Sequence, residues 1–250
     1  MDEIVSRLDI RLVSVSLAAV MFVAWEIGRR VGHESETPSS RFADSAVALM
    51  GLLIAFTFGV SIERHDRRRL MVVADANAIG DFYTCAGLLN EPTRTRLQQL
   101  IQRYAQIGLA LARGSLTRAD LESALARSDQ MHDQMTELVL QALKDGTPIA
   151  VSLTNTLNAV TSNQAARLAA YRDRLPADIV GLLFTSAVIA TLLIGREQAT
   201  TGSGDIAGMI CFILLVSLAV YVTLDLNQPE HGLVRVSQEP IERLVRSMSK

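Results

Sequence analysis

Four long stretches almost free of charge constrain this chain more than any other feature. They run from Ile10 to Ile27, Ser45 to Ile62, Ile179 to Gly195 and Ile206 to Leu224. Each meets the requirement of about 17 to 25 mostly apolar residues for a helix that crosses a bilayer. Lipid offers no partner to backbone polar groups, so a spanning segment of this kind satisfies them internally, as a helix. The fourth stretch holds eleven Leu, Ile, Val or Phe residues, which favour insertion by on the order of 5 kcal/mol. The first has the shortest charge-free part, Leu12 to Trp25, and invites comparison with a signal peptide. Asp2, Glu3 and Asp9 dilute the positive segment a signal requires, and no small-x-small cleavage site follows Trp25. It therefore reads as a retained helix, with Arg11 snorkelling at one end and Trp25 in the interfacial belt at the other.

Arginines beside the spans set the expected orientation, because cytoplasmic flanks carry the excess. Arg7, Arg11, Arg64, Arg67, Arg68, Arg69, Arg167, Arg172, Arg174, Arg235 and Arg243 fall on one side, against Arg29, Arg30, Arg41 and Arg196 on the other. Both termini and the long central segment are thus expected in the cytoplasm of a cell with an inner membrane. The outer loops are short and polar, Glu34 to Pro38 and Thr200 to Gly204. The expected organisation is an all-α membrane protein. Residues 1–62 carry spans one and two, 63–175 form a helical cytosolic bundle, 176–226 carry spans three and four, and 227–250 form a tail.

No proline interrupts the chain from Ser45 to Leu89, so span two is expected to continue as one long helix and to break at Asn90-Glu-Pro92. A second cytosolic helix is expected from about Pro92 to Gly114, and a third from about Thr117 to Asp145, closed by Gly146. A fourth is expected with Thr147 as cap and Pro148 at its first position. In it Ile149, Leu153, Leu157, Val160, Leu168, Tyr171 and Leu175 recur at helical spacing, the packing stripe of a bundle. The tail restarts near Pro240 as a short helix with Ile241, Leu244, Val245 and Met248 on one face. Such a helix either lies on anionic lipid or packs against the bundle, and its weak basicity favours packing.

Little in the chain suggests covalent chemistry. There is no phosphate loop, nucleophile elbow or paired intramembrane acid. His33, His65, His132 and His231 lie far apart, and Cys85 and Cys211 fall in segments of different character. No enzyme activity, cofactor, metal site or disulfide is expected. The net charge of −2 and the single tryptophan leave no footprint for nucleic acid.

The informative residues are polar groups at the inner ends of spans two and four. At 100° per residue Thr57, Ser61, Arg64 and Arg68 share one face of the second helix. The strip has two readings. It is either an anion path, in which hydroxyls replace ion hydration and arginines raise the local potential, or an anchor, with the arginines among head groups and the hydroxyls bonded to their own helix. Gly51, Ala55 and Gly59 lie on roughly the opposite face in the small-xxx-small pattern of close helix packing. On the fourth span Ser217, Tyr221 and Asp225 share a face, and Asp225 is an ion-pair candidate for Arg64 or Arg68. Glu26 is expected to pair with Arg29 or Arg30.

Three longer motifs go further. Ala55-Phe-Thr-Phe58 running into Arg64-His-Asp-Arg-Arg68, then Asp75-Ala-Asn-Ala-Ile-Gly80, and Asp225-Leu-Asn-Gln-Pro229 through Gly232 to Val236-Ser-Gln-Glu-Pro240 resemble the bestrophin-like family of bacterial membrane proteins, remotely similar to bestrophin anion channels. The resemblance implies a homo-oligomer whose second helix lines a pore for chloride or other small anions. It places Phe56, Leu52 and Ala48 at the neck, on a different face from the polar strip. Only Phe56 keeps an aromatic there. The acidic calcium-binding run of animal bestrophins is reduced to Asp225 and Glu230, which does not support calcium gating. The expected function is therefore an anion channel embedded in membrane lipid. The competing class is a membrane-anchored helical scaffold or sensor that conducts nothing.

Overall fold

The computed structural model describes residues 10–32, 40–113, 118–202, 205–228 and 234–249, all helix or short connections, with no strand among them. In chain order the helices are α1 (Ile10–Gly32), α2 (Ser40–Ala86), α3 (Thr93–Arg113), α4 (Arg118–Lys144), α5 (Ala150–Arg172), α6 (Ala177–Thr201), α7 (Ile206–Asn227) and α8 (Glu239–Met248). Four of them, α1, α2, α6 and α7, are long and apolar enough to cross a membrane. The expected outer loop at Glu34–Pro38, the amino-terminal Arg7, and Pro229, Glu230 and Gly232 of the tail lie outside the described residues.

The chain divides into two compact units, residues 1–65 with 174–235, and residues 66–173 with 236–250. In the first, Leu17, Met21 and Trp25 of α1, Met50 of α2, Ala187 and Ala190 of α6, and Ile213, Val216 and Val220 of α7 form one buried cluster. The closest approach is between α1 and α6. A Cβ on Gly28 would sit 2.0 Å from the Leu192 carbonyl oxygen, and one on Gly195 would sit 2.2 Å from that of Trp25. Glycine is required at both positions because the backbones meet with no room for a side chain. Trp25, expected at the lipid interface, is only 3% exposed and donates its indole N–H to Gln198 Oε1 at 2.8 Å. The tight crossing beside it turns the ring inward.

The second unit is a helical bundle. Phe82 and Cys85 of α2, Leu97 and Ile101 of α3, Met135 and Val139 of α4, and Leu153, Leu157 and Val160 of α5 form its core, with Met248 of α8. The amphipathic α8 packs as its pattern favours, with Ile241 buried against Val72 and Ala76 of α2. One helix start differs from expectation, since α5 begins at Ala150 rather than at Pro148. Gly146 at φ +76° donates to Leu143 O at 3.1 Å, and Thr147 N donates to Ala142 O at 3.2 Å. This paired closure ends α4, and α5 starts after Ile149 with no side-chain cap.

Candidate functional site: the two faces of helix α2

Over its apolar stretch α2 has one face turned into the chain and one turned out. Met50, Thr57 and Ser61 are buried, the last at 0% exposure. The Thr57 hydroxyl donates to Leu53 O at 2.8 Å and to Ile54 O at 3.0 Å. The Thr57 hydroxyl thus serves its own helix, and within the chain Thr57 and Ser61 are both covered. The Ser61 hydroxyl has no hydrogen-bond partner among the described residues.

Further along α2, Arg68 is also covered by its own chain. It is 1% exposed, and it donates from Nε to Ala170 O at 3.2 Å and from Nη2 to Asp173 O at 2.9 Å. A guanidinium at the last carbonyls of α5 satisfies acceptors that a helix end leaves open and complements its dipole. Arg64 is half-buried between the two faces.

The outward face carries the other candidates. Leu52 is 66% and Phe56 65% exposed, and Ala48, Gly51, Ala55 and Gly59 are exposed beside them. A Cβ on Gly51 or Gly59 would meet nothing within 4 Å. Among the described residues Gly51 and Gly59 thus pack against nothing within the chain, contrary to the expectation from their spacing. Within the chain the close packing belongs to Gly28, Gly32 and Gly195, where the Gly28-xxx-Gly32 spacing was a readable signal.

The remaining motif residues hold chain segments together. Asp75 is buried and pairs with Arg167 Nη1 at 2.7 Å; its Oδ1 has no hydrogen-bond partner among the described residues. Burial, with the Asp75 carboxylate nearby, pushes the Tyr104 hydroxyl above its usual range. A side chain at Gly80 would crowd Leu244 of α8 at 3.2 Å. Asp225 Oδ2 accepts from Val234 N at 3.1 Å and Asn227 Oδ1 accepts from Leu175 N at 2.8 Å. These two residues tie the segments before α6 and after α7 to the end of α7. Glu26 pairs with both Arg29 and Arg30, and both cysteines are free.

A family model described as the Bestrophin-like domain matches residues 12–241. The chain belongs to the Bestrophin-like family. Two crystal structures, each described as that of a membrane protein, are similar in fold. One superimposes with a TM-score of 0.65 at 11% identity, covering 96% of this chain and 97% of that one. The other has a TM-score of 0.63 at 12% identity and covers 95% of each. At such identities the likeness concerns the fold alone. No curated protein sequence matches the chain. The outward face of α2 is uncovered among the described residues and carries both Phe56 and the two glycines Gly51 and Gly59.

Proposed function

We propose that several copies of this chain assemble around an axis lined by the outward row Ala48, Leu52 and Phe56 of α2, and that the assembly passes chloride or other small anions across the inner membrane. The observation that supports this reading most is the two-sidedness of α2. Its polar face is occupied by its own fold, while Leu52 and Phe56 stand out from it among residues small enough for another copy to approach. Membership of the Bestrophin-like family favours a channel over a scaffold.

In this reading the termini and the helical bundle are cytoplasmic, lipid covers the outward leucines of α7, and Phe56 is the narrowest ring. Apolar constrictions of this kind gate by dewetting. Arg64, about two turns beyond the neck, raises the local potential and favours anions. Asp225 is kept as its proposed ion-pair partner, and reversal of both charges is expected to restore what either reversal alone loses.

The test is purified protein in liposomes, with subunits counted and chloride flux followed. Phe56→Ala is expected to raise flux and Arg64→Glu to lower anion preference. A monomer in lipid, or unchanged flux and selectivity in both well-folded variants, would overturn the proposal.

A further inference from the structure

Helices α3 and α4 of the second unit carry opposite charge on their outer rows. From Thr93 to Arg113, α3 contains Arg94, Arg96, Arg103 and Arg113 and no acidic residue. Arg94 is occupied by Glu91, but Arg96 and Arg103 are exposed. On α4 the exposed outer row carries Asp129, Asp133 and Glu137, with Leu140 beside them at 52% exposure.

Adjacent antiparallel helices of opposite charge ordinarily lace together. Here no ion pair joins Arg96 or Arg103 to any of these three acids among the described residues. A groove of about 300 Å³ instead lies open between the helices, with both arginines on one wall, Gln134 and Glu137 on the other, and Leu100 and Leu138 in its lining. A solvated row alone would need neither an apolar floor nor an exposed leucine continuing the row beyond its last acid.

We infer that this surface receives a second copy of the same chain, with the basic wall of one α3–α4 groove taking the acidic row of the other copy's α4. The fit is one of charge. Arg96 and Arg103 are seven residues apart, about 10.5 Å along the axis, and Asp129 and Asp133 about 6 Å apart, a difference of about 4.5 Å that the two long arginine stems close by reaching inward. Leu140 of the incoming helix supplies apolar surface for the groove floor. Complementary rows of this kind fix which surfaces meet more than they add affinity. The inference rests on the reading that the chain assembles with copies of itself, and it names where the parts outside the apolar spans meet.

The experiment uses two differently tagged full-length chains with Cys85 and Cys211 replaced by alanine, one carrying Arg103→Cys and the other Asp133→Cys, co-expressed and treated in membranes with a short bis-maleimide, whose reach matches the gap that an arginine–carboxylate pair leaves between two backbones and that a direct disulfide could not span. A cross-linked product bearing both tags is expected. Its yield should fall in about 1 M salt, where the Debye length is near 3 Å. Arg96→Glu in the first chain should reduce it about two- to fivefold, and Asp129→Arg in the second should recover it. If no mixed product forms while the wild-type protein is oligomeric by mass, the inference is overturned and the channel proposal stands. A yield indifferent to salt and charge reversal overturns it equally. A monomeric wild type in lipid overturns both.

Discussion

Replacing Gly28 by alanine adds one methyl group where the structure leaves no space for it. The new Cβ would lie 2.0 Å from the Leu192 carbonyl oxygen, 2.9 Å from its carbon and 3.1 Å from Arg196 N. These are backbone atoms, which no rotamer change can move, so α1 and α6 must part by roughly 1 Å. Overpacking of this kind costs about 1–3 kcal/mol. A gap of that width also forfeits a quarter to a half of the dispersion well for atoms along the crossing. The nearby bond from Trp25 to Gln198, 2.8 Å long, is strained in the same movement and is worth about 1 kcal/mol. Less the roughly 1 kcal/mol that alanine gains as the better helix former, the expected net loss is about 2–3 kcal/mol. Gly108→Ala in α3 is the control, since its Cβ meets nothing within 4 Å and alanine is the better helix former by about 1 kcal/mol. The assay is thermal unfolding in detergent, followed by the emission of Trp25, the single tryptophan and a residue of the crossing itself. Gly28→Ala should melt about 5–10 °C below wild type, with Gly108→Ala at or slightly above it. If Gly28→Ala melted with the wild type, α1 and α6 could not be packed backbone to backbone.

Other substitutions separate structural from functional residues. Arg68→Met should destabilise the bundle by about 2–4 kcal/mol, because two carbonyls at the end of α5 lose a charged donor; hydrogen exchange there should rise, and an unchanged pattern would count against the capping role. For the Asp75–Arg167 pair, either Asp75→Leu or Arg167→Met alone should cost about 3–5 kcal/mol, and the double variant much less, since removing one partner strands a buried charge. Additive losses in a denaturant cycle would dispose of that coupling.

The spans were legible because lipid imposes one solution on a long apolar run, and Ile206 to Leu224 could hardly be read otherwise. The length of α2 followed from the absence of proline between Ser45 and Leu89, and the packing of α8 from the spacing of Ile241, Leu244, Val245 and Met248. Which way α2 faces was not legible, because Thr57, Ser61 and Arg68 form the same strip whether they meet water or the chain's own core. The partners of Arg68, the carbonyls of Ala170 and Asp173, lie about a hundred residues away, beyond the reach of any local pattern. The glycines misled for the same reason. Gly51, Ala55 and Gly59 advertise close packing as loudly as Gly28 and Gly32, yet the α6 backbone meets only the second set. Trp25 likewise could not reveal that Gln198 was waiting for its N–H.

The central claim is that the outward row of α2 faces water, and thiol accessibility tests it most directly. In reconstituted protein lacking Cys85 and Cys211, cysteines at Leu52 and Phe56 are compared with cysteines at Ser61, buried in the chain, and at Leu218, exposed on α7, by reaction with a charged, water-soluble thiol reagent during flux measurement. Positions 52 and 56 should react and lose flux, while 61 and 218 stay inert. Labelling at 52 and 56 no faster than at 218 would place them in lipid and contradict the account.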